Sequence, residues 1–208
     1  NKFCSGALVN NTSNDGTPYI LTANHCLTGS TVDGTWIFRF NWEAPGCSEP
    51  GNEPAYDVIN GASLIANNGA SDFALVKMDN TPPSSYHAFY AGWSHSATPA
   101  SSVVIIHHPR GDIKKGTRAD NAVTATSYDG GNGGAQVWQI GQYTEGATEA
   151  GSSGSPMFDQ NKRIIGQLYG GPSDCGASSD QLSDYYGRFN ISWDSGSTPQ
   201  TRLKEWLD

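Results

Sequence analysis

No apolar run in the sequence approaches the roughly 18 residues that a membrane-spanning helix requires. No leader-like segment opens it either, so it reads as a processed or trimmed chain. No C-x-x-C pair occurs among the four cysteines, Cys4, Cys26, Cys47 and Cys175. That absence argues against structural zinc. The even count argues for disulfides in an oxidising, extracellular compartment, although the spacing selects no connectivity. Positive charge is scarce: 12 Lys and Arg stand against 20 Asp and Glu, a net charge of −8. Such a chain is poorly suited to nucleic acid or an anionic membrane. It is compatible with a cationic substrate, although a soluble acidic surface accounts for the same charge. Charged residues make up only 15%, whereas glycine (25) and proline (11) are plentiful. Many turns between short strands follow from that balance.

What is present is a rhythm of short apolar segments. Residues 4–9, 19–23, 36–41, 62–66 and 73–78 each read as a strand bounded by Gly, Asn or Pro. After the linker-like Thr81-Pro82-Pro83-Ser84-Ser85 the rhythm resumes at 89–93, 102–107, 122–127, 136–140, 156–159, 163–169 and 185–192. Regular short strands without helical periods between them indicate an all-β sandwich or barrel rather than βαβ units. The two groups of strands predict two β-domains, residues 1–82 and 83–208. Leu203, Trp206 and Leu207 alone keep a helical spacing, with Thr198 or Thr201 able to cap, and predict a terminal helix over about 199–208. The glycine-rich segment 129–134 reads as a mobile loop.

Three segments carry chemistry. In Gly151-Ser152-Ser153-Gly154-Ser155-Pro156 a serine stands between glycines ahead of an apolar run. Glycine admits positive φ, so successive N–H groups can face one concavity that stabilises negative charge. A serine hydroxyl beside such a nest is half of an acyl-transfer site. Leu21-Thr22-Ala23-Asn24-His25-Cys26 offers the base, and Ser71-Asp72-Phe73-Ala74-Leu75 an acid at the head of a strand. If His25 and Asp72 belong to one domain and Ser153 to the other, they meet only at the interface, a usual place for a cleft. The glycine spacing fails the G-x-S-x-G elbow, which argues against an α/β-hydrolase.

In this order the three segments resemble the signatures of chymotrypsin-like serine endopeptidases. A closer similarity is to the bacterial lysyl endopeptidase branch. It is carried by Ser5-Gly6-Ala7-Leu8-Val9-Asn10-Asn11, His107-His108-Pro109, Gly166-Gln167-Leu168-Tyr169-Gly170-Gly171-Pro172 and Ser183-Asp184-Tyr185-Tyr186-Gly187-Arg188. The resemblance implies two six-stranded antiparallel barrels with a C-terminal helix, and a Cys4–Cys26 disulfide beside His25. It implies Ser153 as nucleophile rather than Ser152 or Ser155, His25 as general base and acid, and Asp72 as the group that orients it. The N–H groups of Gly151 and Ser153 would form the oxyanion hole.

Trypsin-like enzymes place the acid that binds the substrate's basic side chain six residues before the nucleophile, here Ala147. The lysyl branch places it at the position of Asp184, with Asp180 and Asp174 competing on the same loop. Tyr128 and Tyr169 fall near that pocket, where Trp and His are usual. Tyr169 is also expected to back Asp72, and Tyr169-Gly170-Gly171 to offer an edge to a bound peptide. Related chains begin with a stretch carrying two further cysteines. The reading taken for Cys47 and Cys175 is that they bond to each other, the alternatives being a lost segment or free thiols. Ser152 stands where trypsin-type enzymes carry the acid that receives a new N-terminus, so maturation is expected by propeptide removal.

The expected function is a secreted, monomeric serine endopeptidase cleaving after a basic residue, lysine before arginine. It needs no cofactor or metal, and a zinc site built on His107 and His108 is not expected. Its partners are peptides or proteins with exposed Lys or Arg. Arg-preferring or dual specificity and a catalytically silent binding protein are the alternatives. A carbohydrate-binding role for the six Trp and nine Tyr is disfavoured because they are scattered through strands.

Overall fold

The computed structural model describes residues 3–131 and 134–208, so Asn132 and Gly133 of the 129–134 loop lie outside the described residues. The first half contributes β1 (Ala7–Val9), β2 (Tyr19–Ala23), β3 (Ile37–Phe40), β4 (Asp57–Asn60), β5 (Ala62–Asn68) and β6 (Phe73–Met78). These form a four-stranded sheet in the order β1-β2-β6-β5 and a β3-β4 pair. The second half contributes β7 (Val103–His107), β8 (Lys115–Ala119), β9 (Thr124–Tyr128), β10 (Ala135–Ile140), β11 (Pro156–Asp159), β12 (Ile164–Gly170) and β13 (Asp184–Arg188). They make one sheet in the order β8-β7-β11-β12-β13-β10-β9. Every ladder in these sheets is antiparallel, so the all-β architecture is as the sequence predicts.

The central strands are those with near-continuous apolar runs. β2 and β6 bury almost every residue, as sheet interiors covered on both faces require. β4 and β8 escaped the sequence reading because Asp57-Val58-Ile59-Asn60 and Lys115-Gly116-Thr117-Arg118-Ala119 contain no apolar run. Three other expectations are corrected. Residues 89–93 form no strand; Ala91 and Trp93 make only isolated bridges to Val9 and Ile164. The segment 185–192 is β13 only as far as Arg188 and then turns into helix α1 (Phe189–Asp194). The terminal helix is broken: a 3-10 turn at Pro199–Thr201 and α2 (Lys204–Leu207) flank an extended Arg202 at φ −152°, ψ 165°. The capping predicted at Thr198 and Thr201 is present as a reciprocal capping box.

Cys4 and Cys26 form a disulfide. The pairing expected between Cys47 and Cys175 is not made: both are free and exposed. Their loops are pinned to different parts of one segment. Glu43 and Glu49, flanking Cys47, pair with Lys114 and Lys115, whereas Asp174, beside Cys175, pairs with Arg110.

The halves share apolar core. Val9, Leu21, Phe73 and Leu75 of the first sheet pack in one cluster with Ile164, Phe189, Leu203 and Leu207. The C-terminal segment therefore crosses back onto the first half. There the Thr12 N–H bonds the Leu207 carbonyl at 2.9 Å, and Asn68 Nδ2 bonds the Thr201 carbonyl at 3.1 Å.

Candidate active site

His25 follows β2 directly, in a 3-10 turn over Asn24–Leu27, and Asp72 immediately precedes β6. β2 and β6 are paired with Ala23 opposite Phe73, so the ladder itself sets the two residues side by side. The Asp72 carboxylate grips His25 twice. Oδ2 lies 2.7 Å from ring Nδ1, and Oδ1 accepts the His25 backbone N–H at 2.9 Å. Asp72 has φ +54°, a left-handed conformation that aspartate tolerates better than most residues. It is 2% exposed. Burial raises its pKa, and the bonds from His25 oppose that rise.

The Asp72 turn is fastened to the second sheet. The Ser71 carbonyl accepts a bond from Gln167 Nε2 at 2.8 Å, and Ser71 Oγ lies 2.9 Å from Ser192 Oγ. Gly187 passes so close that a Cβ there would overlap the Ser71 carbonyl. Tyr169 sets its ring 5.7 Å from the ring of His25, the residue that Asp72 holds.

The turn carrying Ser153 leads into β11. Its carbonyl accepts the Ser5 N–H at 2.8 Å, and Ser5 Oγ donates to the Gly151 carbonyl at 3.0 Å. Ser5 follows Cys4, so the Cys4–Cys26 disulfide ties this turn to the residue after His25. Gly154 has φ +81°, and a Cβ on it would stand 2.5 Å from the Ser5 carbonyl oxygen and 2.8 Å from the Ala23 nitrogen. Only glycine lets the turn lie this close to the end of β2. Among the described residues no protein acceptor engages the N–H of Gly151 or of Ser153, and no hydrogen bond joins Ser153 Oγ to the His25 ring. Ser153 is partly exposed, and the His25 side chain is 20% exposed.

Asp184, the first residue of β13, is 1% exposed. Its Oδ2 accepts from Tyr143 Oη at 2.7 Å and from Thr148 Oγ1. Tyr143 Oη lies 2.7 Å from Tyr186 Oη. Burial raises the Asp184 pKa to about 6, against the hydrogen bonds from Thr148, Tyr143 and the Ser173 backbone. No cationic side chain pairs with it among the described residues. Thr148 lies five positions before Ser153, so the carboxylate is bonded to the segment that leads into the serine turn. Gly171 runs beside it; a Cβ there would meet the Ser183 carbonyl at 2.7 Å and the carboxylate itself. Tyr128 stacks on Tyr185 at 3.9 Å and meets Tyr169 edge-on at 5.4 Å, an aromatic wall running from β13 towards His25. Gly170 pairs with Tyr185 of β13, whereas β11 pairs with β12 no further along than Gln167. One edge of residues 169–171 is thus free of strand partners.

His107 and His108 do not converge. His107 Nδ1 lies 2.7 Å from Ser152 Oγ, whereas His108 stacks on Trp42 and bonds the Asp112 carbonyl. Sequence reasoning missed Ser5, Tyr143, Thr148 and Gln167. Ser5 and Gln167 lie inside segments that carry the family similarity but were given no role, and Tyr143 and Thr148 are single polar residues in loops that no local pattern marks.

The MamO protease domain of Magnetospirillum magneticum matches 90% of this chain and 85% of its own at TM-score 0.58, with 11% identity. The Rv3671c protease of Mycobacterium tuberculosis, in its active form, matches 89% and 68% at TM-score 0.55, with 16% identity. These likenesses establish the fold, that of chymotrypsin-like protease domains. A lysyl endopeptidase of Pseudomonas aeruginosa is 31% identical over 199 residues, 90% of this chain. The chain spans about 41% of that relative's length. The family described as "Lysyl endopeptidase, C-terminal domain" matches residues 1–187. The chain therefore belongs to the lysyl endopeptidase family.

Proposed function

We propose that this protein is a serine endopeptidase that hydrolyses peptide bonds after a basic residue, lysine before arginine. The observation that carries the reading is the doubly bonded His25–Asp72 pair, and it is supported by a serine turn whose Gly151 and Ser153 N–H groups meet no protein acceptor and a buried carboxylate that meets no cation, among the described residues. Ser153 Oγ attacks the scissile carbonyl while His25 takes its proton and later returns it to the leaving amine. Asp72 fixes the proton on Nδ1, leaves Nε2 to act as base, and stabilises the imidazolium. The Gly151 and Ser153 N–H groups receive the oxyanion, each worth about 3–4 kcal/mol in comparable sites. Water then releases the acyl group from Ser153.

Asp184 supplies the specificity. A lysine ammonium entering beside Gly171 replaces the missing counter-ion through a charge-assisted bond. A neutral side chain leaves a buried carboxylate unpaired, which is costly. Tyr128 and Tyr169 line the approach, and the free edge at Tyr169-Gly170-Gly171 accepts the substrate as an antiparallel strand. Lysine over arginine is supported by the family and by the relative's name. Export to an oxidising compartment is supported by the Cys4–Cys26 disulfide. Among the described residues no helix is long and apolar enough to cross a membrane.

One observation favours a second reading, a catalytically silent homologue: Ser153 Oγ and His25 share no hydrogen bond. In free enzymes that bond is often long and tightens only on substrate. Matched peptides with Lys, Arg, Leu or Glu at the cleaved position, tested on wild type and Asp184→Asn, decide the matter, with a fluorophosphonate to label Ser153. Lysine-dependent cleavage that collapses in Asp184→Asn is the expected result. No labelling and no cleavage establishes the silent homologue, and an unchanged lysine preference in the variant removes Asp184 from the pocket.

A further inference from the structure

We propose that His107 is a positioning residue for this reaction, acting through Ser152 to hold the 149–153 turn in the form that leaves the Gly151 and Ser153 N–H groups free. The inference rests on the function proposed above.

His107 ends β7 and is 1% exposed. Its Nδ1 lies 2.7 Å from Ser152 Oγ, and that hydroxyl also accepts the Glu149 N–H at 3.2 Å. The Ser152 N–H in turn bonds the Glu149 carbonyl at 2.9 Å, and the Ser155 N–H bonds the Ser152 carbonyl at 2.9 Å. The hydroxyl of Ser152 is therefore the hub of the turn. After accepting the Glu149 N–H the hydroxyl keeps its own proton and one lone pair, so it can bond Nδ1 in either tautomer of the neutral ring. In both tautomers Nε2 is a buried atom with no partner among the described residues.

That orphan is the informative feature. Unpaired buried polar atoms are rare and cost stability. A side chain present only to fill the core would not carry one, since a leucine would fill the site without the penalty. The contact with Ser152 is what the imidazole offers and a hydrocarbon does not. The segment after His107 reinforces the same turn. The Arg110 N–H bonds the Ala150 carbonyl at 2.6 Å, and Arg110 Nε bonds Glu149 at 2.8 Å. The His108 N–H bonds Ser5 Oγ, which holds the Gly151 carbonyl. With its flanking carbonyls at Ala150 and Gly151 held from outside, the Gly151 peptide keeps its orientation. Burial keeps the His107 ring neutral, its pKa pushed down to about 4 with a smaller push from His108, so the contact persists at neutral pH.

The test compares His107→Leu, which keeps volume without the bond, with His107→Asn, whose amide occupies the Nδ1 side of the ring. Hydrolysis of a lysine ester and binding of a lysine aldehyde, a mimic of the tetrahedral adduct, are measured on each. Losing part of one oxyanion donor should lower kcat in His107→Leu by roughly 10- to 100-fold. KM should stay unchanged and the aldehyde should weaken in parallel with kcat. His107→Asn should recover most of the loss. Ser152→Ala, which disturbs only a hydroxyl, should reproduce the Leu variant, and the double variant should be no worse than either single one. Wild-type kcat in Ser152→Ala, or a loss in His107→Leu that falls on KM alone, overturns the proposal while leaving the endopeptidase reading intact. A wild-type protein that neither cleaves nor takes the fluorophosphonate overturns both.

Discussion

At Asp184 three neutral donors and, among the described residues, no cation surround a buried carboxyl group, and the linkage between its ionisation and folding has a definite sign. Its folded pKa of about 6 exceeds the ordinary 3.8, so the native state binds the proton more tightly than the unfolded chain. Stability is then lost as pH rises through that window, by roughly 3 kcal/mol in full. Asp184→Asn should therefore raise the thermal midpoint at pH 7.5 while destroying cleavage after lysine. A lower midpoint for the variant in a thermal melt would refute the account. Butylammonium, a stand-in for the lysine side chain, should stabilise the wild type and not the variant. His107 has the opposite sign. Its pKa falls from 6.5 to about 4, so stability is lost as pH drops across that interval. The two slopes oppose each other in the wild type. Melts between pH 6.5 and 4 should fall more steeply for Asp184→Asn, and parallel curves would count against one of the two assignments. At this scale the chemistry was half legible. His25 and Ser153 stand in short motifs beside a cysteine and a glycine, and Asp72 heads an apolar strand. Tyr143 and Thr148 reach Asp184 across 41 and 36 positions, and no local pattern announces such a convergence.

Elements were legible where burial is continuous and illegible where one face is polar. β2, β6 and β11 keep the bounds expected from their apolar runs. β8 buries only Thr117 and Ala119 among charged and small neighbours, a pattern that sequence alone reads as loop. The turn from β13 into α1 was missed because Phe189, Ile191 and Trp193 continue the alternation of a strand. Two glycines on these elements separate catalysis from binding. Gly187 of β13 lies against the Ser71 carbonyl, and Gly171 after β12 lies against Asp184. An added methyl at either place costs about 1–3 kcal/mol of overpacking, but the readouts differ. Gly187→Ala pushes on the turn that presents Asp72 and should lower kcat with little change in KM. Gly171→Ala crowds the carboxylate and should raise KM for lysine substrates selectively. Steady-state kinetics on lysine and arginine esters distinguish the two, and interchanged effects would mean that the Asp72 turn and the surroundings of Asp184 are one mechanical unit.

For the whole molecule the decisive feature is the apolar seam. Residues from both sheets and from the C-terminal segment share one cluster in which Leu203 and Leu207 are fully buried. Linker composition at residues 81–85 marked a boundary between halves, yet the seam means that neither half owns the core between them. The halves should therefore unfold together. His25 and Asp72 belong to the first half and Ser153 to the second, so on the proposed mechanism anything that loosens the seam should separate the three. Leu203→Ala tests this at a fully buried residue of the seam itself. The cavity should cost about 2–5 kcal/mol, and lysine-ester hydrolysis and β-sheet ellipticity should still disappear in one coincident denaturant transition. If hydrolysis were instead lost well before the ellipticity, the halves would be separable bodies held in register chiefly by the contacts of Ser5 with Ser153 and Gly151, with the Cys4–Cys26 bond anchoring Ser5 within the first half. In that case reducing the disulfide should reproduce the early loss in the wild type. Coincident transitions with the disulfide intact assign the register of the site to the shared core.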